Sequence, residues 1–268
     1  MRYKYWKFGI CLMALLSLVS VYAEPLCCRQ AFCSRGSLPV IDPRATVLKN
    51  LAAFNAIDVN GPIDVQIFGG ADCQQVALMD SRSIRVEVRE GILFLSGGTR
   101  PTAREHLLVK VYMPRDLTHL SLSHSANVAG ECIQSHCLTI FDASCGSLCL
   151  RGHIVLDKLV STESGDIDLE WVDSNSIEII ANNGAQIHLA GRANHLYAQL
   201  ADSVRLETQY LRVKSAWVKA GGAAQAEILS SESLNAFAED SASVHYHRAP
   251  KSSYINNEDM ANSFWWSN

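Results

Sequence analysis

The side chains whose types and spacing could do chemistry are eight cysteines, a set of acids at turns and three histidines. Cys27, Cys28, Cys33, Cys73, Cys132, Cys137, Cys145 and Cys149 remain once Cys11 leaves with an N-terminal leader. An even number in an oxidising compartment is a candidate disulfide framework, and eight permit far more pairings than a sequence can choose among. Cys145-Gly-Ser-Leu-Cys149 lacks the common two-residue spacing of a zinc site and has no histidine at matching distance. Asp142, Glu163, Asp166, Asp202, Glu239 and Asp240 recur at turn-like positions. Paired carboxylates can cleave glycosidic bonds, and a column of acids can hold calcium. Asp also favours turns because its side chain bonds its own backbone. The tight spacing leaves no long insertion to wall a substrate groove, and the glycine-rich calcium-roll motif is absent. His245 and His247 sit two apart, on one face of a strand. His188 shares the His245 column three repeats away, at about 4.8 Å per repeat, too far for one ion. No GxSxG elbow occurs. The sequence therefore nominates no catalytic residue, no metal ligand and no cofactor.

The elements that must carry these residues begin with an address. Residues 1–23 read MRYKYWKFGICLMALLSLVSVYA: a basic start, an apolar run from Phe8 to Val21, and small-enough residues at Val21 and Ala23 for cleavage. The run is shorter than the roughly 20 residues of a spanning helix, and no second run is long enough, so export without a transmembrane segment is expected. Glu24-Pro25-Leu26 before Cys27 lacks the small residue of a bacterial lipid-attachment box. Of all 268 residues, 48% are hydrophobic and 19% charged, which excludes a wholly disordered chain. Cleavage removes Arg2, Lys4 and Lys7 and takes the net charge from −4 to about −7. No basic stripe is visible, so a nucleic-acid partner is not expected.

From Phe54 onward, alternation with a period of two replaces helical spacing. Ile57/Val59, Ile63/Val65/Ile67, Ile84/Val86/Val88, Leu93/Leu95 and Leu107/Val109/Val111/Met113 are separated by glycine- and proline-bearing breaks. From Leu120 a repeat emerges, marked by Leu120, Leu138, Leu159, Ile177, Leu196, Ala216 and Leu234 at separations of 18 to 21 residues. Each unit adds a second strand, such as Leu148/Leu150, Ile167/Leu169, Ile187/Leu189 or Val204/Leu206, after a short turn. Even offsets keep the inward face inward. A period near 19 predicts a solenoid whose rungs hydrogen-bond to one another while inner side chains form one core. The alternative is an antiparallel β-sandwich. The stack needs capped ends, with residues 54–113 expected at one and the tail at the other.

FNAIDVNGPIDVQIFGG (54–70), LLVKVYMPRDLTHLSLSHSANVAG (107–130) and ESGDIDLE (163–170) resemble the bacterial auto-transporter adhesin, head GIN domain family. Ser123-His124-Ser125 stands where that family commonly has a glycine-rich turn, and the cysteines of 27–33 lie outside its pattern. The resemblance implies a right-handed β-helix-like, all-β fold with irregular N-terminal strands, in a bacterial envelope, and no catalytic residues. The expected organisation is a signal peptide at 1–23, a cysteine-containing linker at 24–52, a head-GIN-like β domain at 53–249 and a polar tail at 250–268. No membrane-barrel strands follow the repeats, so self-export by that route is not expected. The expected role is non-enzymatic, adhesin-like binding of protein or glycan in the periplasm or at the outer surface. A periplasmic structural module and a carbohydrate-active enzyme are the alternatives. Phe264, Trp265 and Trp266 read as a cap on the last rung or as a docking peptide.

Overall fold

Alternating apolar residues become strands along the whole of the described chain. The computed structural model describes residues 47–72, 74–78, 84–97, 107–114 and 116–257. The chain divides into two units, Met1–Gln30 and Ala31–Asn268, and every described residue falls in the second. The leader, Cys27, Cys28, Cys33, Cys73 and Phe264–Trp266 lie outside the described residues. The strands are β1 (Val47–Asn50), β2 (Ala56–Asn60), β3 (Ile63–Gly69), β4 (Gln75–Leu78), β5 (Ile84–Arg89), β6 (Ile92–Gly97), β7 (Leu107–Met113) and β8 (His119–His124). Longer, bent strands follow: β9 (Asn127–Ser144), β10 (Ser147–Ser161), β11 (Asp166–Ala181), β12 (Gln186–Leu200), β13 (Arg205–Ala220) and β14 (Gln225–Ala238). Two short strands, β15 (Ser243–Tyr246) and β16 (Ser252–Asn257), close the series.

Neighbours from β8 to β16 all run parallel, which is the coil arrangement and excludes the sandwich. Two inward columns build the core. One stacks Leu93, Ile57, Leu120, Ile140, Leu159, Ile179, Ala198, Val218, Ala236 and Ile255. The other stacks Val109, Val65, Val128, Leu148, Ile167, Ile187, Leu206, Ala226 and Val244. All but Ile255 are buried, and they belong to one continuous hydrophobic cluster. No rung could bury its inner face alone, so the stacking that satisfies the backbone also creates the core. The ladder continues through the turns. Asp166 N donates to Gly146 O, Gln186 N to Gly165 O, Arg205 N to Ala185 O and Gln225 N to Val204 O, at 2.8–3.0 Å.

Two details depart from the sequence reading. Leu120 pairs with Ile140 rather than Leu138, and Leu159 pairs with Ile140 and Ile179. The register shifts between Leu156 and Lys158, where the chain spends one extra residue, Asp157, as a bulge. The landmarks Leu138 and Ile177 lie two positions from Ile140 and Ile179 and also point inward. Residues 54–113 also do more than cap. β2 lies between β6 and β8, and β3 lies between β7 and β9, all parallel. So β2–β3 and β6–β7 are true rungs stacked out of chain order. The cap is antiparallel: β5 on β6, β4 on β7 and β1 on β4. Arg85, Glu87 and Arg89 interlock on edge strand β5, with Arg85 Nη2 to Glu87 Oε2 at 3.0 Å. Such charges discourage edge-to-edge pairing. At the far end, β16 adds a parallel strand to β14 within the span read as tail.

Bends within the long strands give each rung a third side. Gly152 and Gly191 occupy these corners at φ +148° and +139°. A Cβ at Gly152 would lie 2.1 Å from Ile133 O, and one at Gly191 would lie 2.0 Å from Val172 O. At these two corners only glycine clears the backbone of the rung before, and those preceding rungs turn at Cys132 and Trp171, with φ +55° and +64°.

Candidate functional site: three outer faces of the coil

The alternation that sends apolar residues inward sends their neighbours to three outer faces, and these differ in chemistry. The first face lies outside the column of Leu120 and Leu159. One outward column runs Lys158, Glu178, Tyr197, Trp217, Asn235, Tyr254, and the next runs Phe141, Val160, Ile180, Gln199, Lys219, Phe237. The Trp217 ring lies 5.8 Å from Phe237, and Phe237 lies 5.8 Å from Tyr254, both pairs tilted. Tyr197 flanks Trp217 on the next rung. Tyr197 is 48% exposed and Tyr254 57%. Phe141 stands further along beside His119, at 5.3 Å. Rungs at about 4.8 Å set the spacing, so the sheet displays a flat file of aromatic and aliphatic side chains. Lys158–Glu178 at 2.9 Å and Lys219–Glu239 at 2.8 Å are ion pairs along this face.

The second face carries the titratable residues. Its column runs Cys149, Asp168, His188, Glu207, Glu227, His245. His188 Nδ1 lies 3.0 Å from Glu207, Arg205 Nε 2.5 Å from Glu207, His247 Nε2 3.2 Å from Glu227 and Arg151 Nη2 2.8 Å from Glu170. The His188–Glu207, His247–Glu227 and Arg151–Glu170 contacts link neighbouring rungs, and Arg205 holds Glu207 from within its own strand. Burial, followed by the nearby Glu170 charge, pushes the Asp168 carboxyl above the ordinary range. His188 and His245 stand in one column with Glu207 and Glu227 between them, as the spacing predicts. Among the described residues no group of three or more His, Cys, Asp or Glu is placed to hold a metal ion. Cys137 and Cys145 are exposed free thiols and Cys149 is a buried thiol, so the expected pairing is not found at these three.

The turn acids do structural work. Asp202 Oδ2 accepts from Asn183 N at 3.3 Å, and Asp240 Oδ2 accepts from Gly222 N at 3.2 Å, so each caps the turn of the rung before it. Asp142 is buried, and its Oδ1 accepts from Ser144 N at 3.1 Å and Ser144 Oγ at 2.6 Å. Burial pushes its carboxyl above the ordinary range despite those donors.

The third face holds what sequence reading missed. A groove of about 590 Å³ is lined by Asp173, Arg192, Arg212, Lys214, Ser230 and Arg248, among others. A neighbouring hollow of about 450 Å³ shares Asp173, Arg192 and Arg212 and adds His153 and Trp171. Arg192 forks onto Asp173 at 2.8 and 2.6 Å, and this pairing holds the Asp173 carboxyl below the usual range. Trp171 sits at a corner with φ +64° and is 59% exposed. The signal was present in the sequence, since Arg192 and Arg212 are twenty residues apart. It is visible only once register places them opposite one another.

A family model described as "Putative auto-transporter adhesin, head GIN domain" matches residues 53–250. A search of curated proteins returns no match. Among solved structures, a putative adhesin from Parabacteroides merdae is similar at 16% identity and a TM-score of 0.71, covering 82% of this chain and 95% of that one. A putative lipid binding protein from Parabacteroides distasonis is similar at 15% identity and a TM-score of 0.69, covering 82% and 96%. A putative adhesin from Bacteroides fragilis is similar at 16% identity and a TM-score of 0.57, covering 82% and 93%. At these identities the likeness is one of fold.

Proposed function

This chain belongs to the head GIN domain family, and from that premise we propose that it is a non-enzymatic, exported protein of a bacterial envelope or surface. It holds a large partner, here read as a glycan, against the outer faces of its solenoid. The observation that carries the reading is the aromatic file of Tyr197, Trp217, Phe237 and Tyr254 on a flat sheet. Aromatic rings supply rigid contact area at low entropic cost, and the apolar face of a sugar ring packs on them without losing the hydrogen bonds of its rim. Tyr197 and Tyr254 are exposed and Trp217 and Phe237 half-buried, and aromatic area left open to water is otherwise a liability. The names of the related proteins support binding over catalysis. The ion-paired carboxylates of the second face support it too. Export rests on the leader pattern of residues 1–23.

A glycan array combined with a reducing-sugar assay on the same polysaccharides tests the reading. Binding without release of reducing ends is expected. Steady release of reducing ends would make the protein an enzyme, and an array with no bound glycan would remove the ligand class. Protease treatment of intact cells, followed by detection of the protein, reports whether it faces the outside.

A further inference from the structure

The third face has the opposite charge to the molecule as a whole. The full chain carries a net charge of −4. Yet Arg192, Arg212, Lys214 and Arg248 converge on one groove against a single carboxylate, Asp173. Asp173 is taken up by Arg192. Arg212, Lys214 and Arg248 are exposed, with no carboxylate partner among the described residues. Like charges on adjacent rungs repel, and Arg192 and Arg212 stand directly opposite one another. Such an arrangement is stabilised when an anion enters. A second, independent feature lies at the same place. Ser230 lines the groove, is 1% exposed, and its Oγ has no hydrogen-bond partner among the described residues. Ser174, which also lines the groove and is buried, has its Oγ satisfied by Leu156 N at 2.9 Å. A buried hydroxyl left without a partner is costly.

The groove joins the aromatic face along the same strands. β12 carries Arg192 and Tyr197, and β13 carries Arg212, Lys214 and Trp217. Exposed Trp171 lies in the adjoining hollow beside Arg192 and Arg212. An indole for a ring face, next to guanidinium forks for planar or tetrahedral oxyanions, is a combination suited to a charged sugar. The rung spacing is comparable to the rise of one sugar unit along an extended polysaccharide, so successive cations meet successive units.

We propose that the groove between Trp171 and Arg248 seats an acidic polysaccharide, with Arg212, Lys214 and Arg248 taking its sulfate or carboxylate groups. The proposal rests on the glycan-binding reading above and names the class of glycan. Calorimetric titration of the full chain with dextran sulfate, polygalacturonate and uncharged dextran tests it. At least one of the two acidic chains binds ten-fold or more tightly than dextran, and added salt weakens it. Comparison of the two identifies sulfate or carboxylate as the preferred group. The Arg212→Ala/Arg248→Ala variant loses ten-fold or more for that chain. The Lys49→Ala/Arg85→Ala variant, which removes the same charge from the β1 and β5 cap, keeps wild-type affinity. Ser230→Ala weakens binding without lowering the melting temperature. Equal losses in the two double variants, or none in the groove variant, would overturn the groove assignment. Dextran binding with no preference for either acidic chain would overturn it too, while leaving the wider reading in place. Absence of binding to any of the three, together with an empty array, would overturn both.

Discussion

Single residues decide whether rungs can nest. Gly152 takes a φ of +148° and brings its Cα against Ile133 O, where a methyl group would lie at 2.1 Å. Gly152→Ala is expected to lose about 2–4 kcal/mol, from strain and overpacking together, in a urea titration. A loss below about 0.5 kcal/mol would show that the corner relaxes freely. Asp142 gives a pH-dependent case. Burial holds its carboxyl above the ordinary range, so the native chain keeps a proton that the unfolded chain has already lost. The native state then binds more protons, and this contribution to stability falls as pH rises from the ordinary aspartate value through the raised one. Asp142→Asn keeps an oxygen to accept from Ser144 and removes the titration. The variant is expected to melt higher than wild type at neutral pH, with the advantage shrinking as the pH is lowered through the acid range. A difference in melting temperature that does not change with pH would contradict this. The turn acids were legible as turn formers from composition alone. Their hydrogen bonds to the preceding rung, Asp202 to Asn183 and Asp240 to Gly222, were not, because they depend on register.

At the scale of elements, inward alternation was readable from residue 54 on, and the repeat near 19 residues gave the coil. Its register was readable for Ile177, Leu196, Ala216 and Leu234, which pair in that order, but not for Leu120 and Leu159. Leu159 pairs with Ile140 and Ile179, each two residues from the landmarks Leu138 and Ile177, and a slip of two residues keeps every apolar side chain inward, so pattern alone cannot detect it. Nor could local pattern reveal that β6 and β7 stack outside β2 and β3. Alternation states which face a strand buries but not which strand lies beside it. Leu159 is fully buried in the middle of its column, and Leu159→Ala is expected to cost about 2–5 kcal/mol. Leu138 and Ile177, its supposed partners, lie two positions from Ile140 and Ile179. A double-mutant cycle should therefore show stronger coupling of Leu159 to Ile179 than to Ile177. The reverse order would contradict the register.

At the scale of the molecule, a β-solenoid converts a one-dimensional repeat into long faces, each with its own chemistry. The sequence reading anticipated broad outer surfaces but not that one is aromatic, one ion-paired and one cationic. Those distinctions arise from residues about 19 apart that meet only when the coil closes. The central claim is that the aromatic face is the binding wall, and its most direct test is calorimetry with the soluble polysaccharide that binds best on the array. Tyr197 and Tyr254 are exposed and outside the core, so Tyr197→Ala/Tyr254→Ala should change stability by roughly 1 kcal/mol or less. That variant is predicted to lose at least ten-fold in affinity while its thermal melt stays close to wild type. Unchanged affinity in the folded variant would contradict the account.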